Sequence, residues 1–164
     1  MAKTSFNEFL LAVAPEHRVF VEKLNDKLLE QGCELVIKEV KSGYTATYQL
    51  EKKTVMNWVF RKTGIWARIY GDNAGRYEEV IAALPAHMQK KMAASRDCKR
   101  LIDPDACSGT CVKGFVYSLN GETQKKCRND GMLFLLTEET AEYIAGLICA
   151  EAAARKPALQ QLNR

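Results

Sequence analysis

Four cysteines recur between residues 98 and 127 in the pattern C-x8-C-x3-C-x15-C, at Cys98, Cys107, Cys111 and Cys127. A structural zinc site takes four ligands in a tetrahedron, and thiolates suit this borderline-soft ion. Cys107 and Cys111 have the spacing of a ligand pair, and Cys98 and Cys127 would complete the set, so the cluster predicts a structural zinc site. Gly109 and Gly114 give the backbone room to bring amides toward sulfur. Residues 98–128 carry six bases (Lys99, Arg100, Lys113, Lys125, Lys126, Arg128) against three acids (Asp103, Asp105, Glu122), which offsets the charge of four thiolates. The same cations would make a thiol reactive, so a second chemistry competes: a thiol-dependent redox sensor or oxidoreductase using Cys107 and Cys111. No C-x-x-C motif is present. In the plainest reading the four are small buried residues without a shared ligand, as is expected of Cys33 and Cys149.

A second constellation lies in "GIWARIYG", where alternation puts Trp66, Arg68 and Tyr70 on one face of a strand and Ile65, Ala67 and Ile69 on the other. An aromatic and cationic face can hold an anionic or aromatic small molecule, or stack bases. With the basic residues around Cys127 it also supports a weak nucleic-acid-binding module. The net charge of +4 is too mild to choose that partner by itself. Trp58 and Tyr48, on neighbouring strands, are expected in the core. His17 and His87, the only histidines, sit among polar neighbours on predicted helices and read as surface residues. No G-x-S-x-G, G-x-G-x-x-G, Walker loop or H-E-x-x-H occurs. No catalytic residue is assigned, and binding or regulation is favoured over catalysis.

The elements that must position these residues follow from periodicity. Asn120-Gly121 is a favoured two-residue hairpin turn, so Leu119 should face Glu122, and counting back sets Cys127 opposite Gly114. Cys111 is then only three residues away, about 10 Å of extended chain. Cys107, Cys111 and Cys127 should gather at the hairpin's open end, and "RLIDPDA" is long enough to bring Cys98 close from the end of the preceding helix. Upstream, "SFNE" is a capping box for a short helix ending before Pro15. A helix from Glu16 to Gln31 should bury Val19, Phe20, Leu24 and Leu28 and stop at Gly32. The period then becomes two, and four strands joined by very short turns predict an antiparallel meander. Residues 75–94 return to helical spacing, in two pieces divided at Pro85. "MLFLL" reads as a short buried strand, and Thr137 as the cap of a last helix with Tyr143, Ile144, Leu147 and Ile148 inward.

This predicts an α+β fold: an antiparallel meander packed against helices, then a cysteine-rich hairpin and a closing C-terminal helix. Residues 1–156 should form one domain, with sub-parts at about 1–94 and 95–156, and 157–164 a flexible tail. The arrangement, with the block "CKR…C…C…G…KKCR", resembles small bacterial domain families built in that order; the resemblance implies the fold and no activity or site residue. The apolar run Phe9–Ala14, preceded by Glu8, is too short to span a bilayer and makes a poor signal peptide. A cytoplasmic protein without membrane contact is expected, and in that reducing compartment thiols are more often free, metal-bound or catalytic than paired.

Overall fold

The computed structural model describes residues 5–41, 43–103, 105 and 113–162, with side chains as far as 156. Helix α1 (Phe6–Ala12) starts at Ser5, whose Oγ accepts the Glu8 amide at 3.2 Å. Helix α2 (Pro15–Glu30) ends in a paired turn, where the Gly32 amide donates to Leu29 O and the Cys33 amide to Leu28 O. Gly32 adopts φ +95°, a conformation natural to glycine. The buried stripe of α2 is Val21, Leu24 and Leu28, with Asn25 among them. Val19 corrects the expectation: it is 63% exposed. Two residues are about 200° of helical rotation, so burying Val21 turns Val19 to solvent.

Strands β1 (Glu34–Val40), β2 (Gly43–Leu50), β3 (Lys53–Arg61) and β4 (Gly64–Ile69) form the expected antiparallel meander. Their order in the sheet is consecutive, and a later strand, β7 (Leu133–Leu135), adds to β4, so the C-terminal part of the chain completes the N-terminal sheet. One sheet face carries Ala46, Tyr48, Met56, Trp58, Ala67 and Ile69, all fully buried. Against it pack α1, α2 and the last helix, α6 (Ala141–Leu162). Phe9 of α1 meets Phe60 with ring centroids 5.7 Å apart, and the Tyr48 hydroxyl donates to Asn25 Oδ1 at 2.7 Å, tying β2 to α2.

After β4 the chain makes a 3-10 turn (Ala74–Arg76), α3 (Glu78–Ala82), α4 (Ala86–Ala94) and α5 (Lys99–Ile102). Pro85 lies just before α4 as its cap, where its missing amide costs nothing. The hairpin of β5 (Phe115–Leu119) and β6 (Glu122–Lys126) forms its own two-stranded sheet with Leu119 opposite Glu122. Asn120 and Gly121 have φ of 53° and 82°, the doubly left-handed pair that a type I′ turn needs. Thr137 Oγ1 accepts the Thr140 amide at 3.1 Å ahead of α6. Ile144, Leu147 and Ile148 of α6 are fully buried, but Tyr143, at the margin of the stripe, is 40% exposed. The helix continues past Pro157 to Leu162. Among the described residues no helix is long and apolar enough to cross a membrane.

Candidate functional site

Of the four clustered cysteines, Cys107 and Cys111 lie outside the described residues; Cys98 and Cys127 can be placed, and both are free thiols. They meet. Asp97 forms a β-bridge with Lys126; the Cys98 amide donates to Lys125 O at 2.9 Å and the Cys127 amide to Arg96 O at 2.8 Å. The register Phe115 to Lys126 is in step with Cys127 lying opposite Gly114. The Gly114 amide donates to the Cys98 sulfur at 3.3 Å. Only glycine fits there, since a Cβ on residue 114 would lie 1.9 Å from Lys126 O and 3.0 Å from Cys98 Cβ. Cys98 is buried and Cys127 half-buried. Among the described residues no three His, Cys, Asp or Glu side chains gather closely enough to hold a metal ion.

Lys126 anchors this end of the hairpin. It is 3% exposed, and its ammonium donates to Ala93 O at 2.8 Å, Ser95 O at 3.1 Å and Asp97 Oδ1 at 2.8 Å. Those carbonyls are the unsatisfied end of α4, where a cation also complements the helix dipole. The placement follows from register: Phe115 and Tyr117 point inward, and Lys126 is the partner of Phe115. The next residues fold tightly. The amides of Asp130 and Gly131 both return to Cys127 O, and a Cβ on Gly131 would come within 2.4 Å of the Phe115 ring.

From Cys127 the polar contacts run on into the fold. Arg128 grips Asp72 through Nε and Nη2 at 3.0 and 3.3 Å and lies 4.2 Å above the Tyr70 ring. Asp72 is 3.5 Å from Arg155, which in turn donates from Nε to Glu151 at 2.8 Å. Glu151 is fully buried and accepts three further bonds, from the Asn73 amide (3.0 Å), Asn73 Nδ2 (2.8 Å) and the Tyr77 hydroxyl (2.7 Å). Burial, reinforced by the Glu151 carboxylate, raises the Tyr77 pKa and keeps it a donor. Sequence reasoning missed this network. Its signal was present, since Glu151 continues the stripe of Ile144, Leu147 and Ile148, and Arg155 follows at i+4.

The aromatic row is also engaged within the chain. Trp66 is half-buried with Arg61 and Lys91 over its ring at 5.6 and 4.9 Å, and its indole N–H donates to Thr63 Oγ1. Lys91 belongs to α4, and Trp66 lies on the opposite side of β4 from Ala67 and Ile69, which are in the buried layer. Arg68 Nε donates to Asn129 O at 3.0 Å, beside Cys127, and the Tyr70 hydroxyl accepts from Asn57 Nδ2 at 3.3 Å. The row and the cysteine end of the hairpin are thus neighbours, linked through residues 128 and 129. Trp58 and Tyr48 are fully buried, as expected of core residues. Cys33 is buried and Cys149 half-buried, and burial pushes both thiols above the ordinary range. His87 is exposed; His17 is half-buried and lines a cleft of about 680 Å³ together with Thr63 and Glu138.

No family model, curated protein or solved structure matches this chain.

Proposed function

We propose that Cys98, Cys107, Cys111 and Cys127 hold a structural zinc ion, and that the chain is a binding or regulatory protein rather than an enzyme. The observation that supports this reading is the backbone pairing of residues 96–98 with 125–127, which brings the two cysteine segments side by side next to Gly114, whose amide donates to the Cys98 sulfur and where no side chain fits. The segment containing Cys107 and Cys111 leaves from this point and returns to it, which gives four thiolates one place to converge. Zinc would lock the hairpin to the end of α4, alongside Lys126. The half-exposed Trp66, flanked by Arg61, Lys91 and Arg68, would take an anionic ligand next to that lock.

Native mass spectrometry of protein purified without added metal tests the first part. One zinc per chain is expected, with loss of the metal in Cys98→Ser and Cys127→Ser and a fall in stability on chelation, because binding free energy at such sites is folding free energy. A fully folded, metal-free chain with all six thiols reduced would end the reading. The ligand site is tested by intrinsic fluorescence during titration with anionic aromatic compounds. Trp58 is buried, so the response should come from Trp66 and vanish in Trp66→Phe.

A further inference from the structure

Strand β1 is a sheet edge of an unusual kind. Among the described residues it pairs with β2 alone, in an unbroken seven-pair ladder, leaving its other side open along its whole length. Natural edges are commonly blunted by shortness, proline, a bulge or charge; β1 carries charged side chains at Glu34, Lys38 and Glu39 but none of the other three. The opposite edge, β7, is only three residues long. Apolar side chains of β1 remain open on both faces: Val36 and Val40 are 37% and 45% exposed, and Leu35 and Ile37 are only half-buried although they face the helices. No ion pair among the described residues engages Glu34 or Lys38.

We propose that β1 pairs antiparallel with β1 of a second copy of this chain, joining two five-stranded sheets into one. The argument is register. A two-fold axis normal to the sheet keeps the helices of both copies on one side, and it must then pass through a residue, because opposed side chains share a face. An axis through Val36 sets Glu34 opposite Lys38 of the second copy, and Lys38 opposite Glu34 of the second copy. The same register sets Leu35 against Ile37 on the core face, twice, and Val36 against itself. Every neighbouring axis fails. Through Leu35 or Ile37 a valine opposes a charged side chain; through Glu34 or Lys38 like charges meet. The strand ELVIKEV is therefore self-complementary about one centre, as an isologous interface requires. Opposite charges and apolar pairs directly across a ladder are the units that stabilise a sheet, and like charges there oppose it.

Sedimentation velocity over a range of concentrations, on the full chain, tests this. The wild type should approach twice the monomer mass of 18.4 kDa as concentration rises. Glu34→Lys and Lys38→Glu each turn two attractive pairs into two repulsive ones, and each should weaken association by about tenfold or more. Both side chains are exposed, so circular dichroism should show native folding in either variant. Two rescues carry the test. An equimolar mixture of the single variants should form a heterodimer, since one then supplies lysine at both positions and the other glutamate. The double variant E34K/K38E should self-associate as the wild type does. A wild type that stays monomeric at every concentration, or a dimer indifferent to these charges, would overturn the proposal.

Discussion

The two ends of this molecule are held by different forces. The meander packs against α1, α2 and α6 through an apolar layer in which Trp58, Tyr48, Met56 and Ile69 are fully buried. The hairpin end, and the contacts that run from it through Asp72 to α6, are held by polar groups with assigned partners: Lys126 on the end of α4, Arg128 on Asp72, and Glu151 with its four donors. Apolar burial is non-directional and forgives substitution by another side chain of similar size. A buried polar group forgives little, because a partner left behind keeps its desolvation cost. The hairpin end should therefore be the more sensitive to small chemical changes.

The largest effects test that contrast. Glu151→Ala should cost about 3–5 kcal/mol, because it takes the nearer carboxylate from the nine-tenths-buried Arg155 side chain and leaves Tyr77 and Asn73 without their acceptor. Trp58→Ala should cost a similar 3–5 kcal/mol or so by cavity formation. Conservative changes should separate them: Trp58→Phe retains much of the buried apolar volume, whereas Glu151→Leu still leaves the donors unpaired. Equal recovery in urea unfolding for the two conservative variants would break the comparison.

Gly114→Ala comes next, at about 3 kcal/mol, since its Cβ collides with a backbone carbonyl rather than a flexible side chain. Its damage should be local. Hydrogen exchange at the Cys98 and Cys127 amides should quicken while the amides of β2 and β3 keep their protection. Lys126→Met should cost about 2 kcal/mol by exposing the end of α4. Methionine keeps the apolar stem, so a loss near zero in chemical denaturation would show that burial, rather than the ammonium, holds Lys126.

The same contrast explains what could be read from the sequence. The meander, the division at Pro85 and the hairpin register rest on periodicity and turn chemistry, which are local, and the structure has them all. Periodicity alone turns Val19 and Tyr143 inward, because "RVFV" and "EYIA" place apolar residues on adjacent helical positions, and only packing decides which of them turns in. Cys98 could be brought near the hairpin only by loop length. What secures it, the bridge from Asp97 to Lys126, depends on a lysine whose role is set by a helix end more than thirty residues upstream. β7 could be recognised as a strand but not assigned to β4, because a three-residue apolar run carries no register.

The smallest prediction compares two buried tyrosines, one at each end. The Tyr48 hydroxyl donates to Asn25, so Tyr48→Phe should cost about 1–2 kcal/mol at neutral pH. The Tyr117 hydroxyl, in β5, is buried with no partner among the described residues, so Tyr117→Phe should leave neutral-pH stability within about 0.5 kcal/mol. Alkaline pH should reveal the difference that neutral pH hides. Burial pushes Tyr117 up to about 12 from an ordinary value of 10.0. As pH rises past the ordinary value, the unfolded chain releases this proton before the folded one does, so the group's contribution is intact below about 10 and is lost between there and about 12. Tyr117→Phe removes that loss and should make the alkaline limb shallower, while the rise in Tyr48 and Tyr77, also caused by burial, keeps the limb from disappearing. Urea midpoints measured near pH 8 and near pH 11 in wild type and Tyr117→Phe decide the matter. An alkaline loss of equal size in both would mean that the Tyr117 hydroxyl reaches water, and that this part of the hairpin end is not dry.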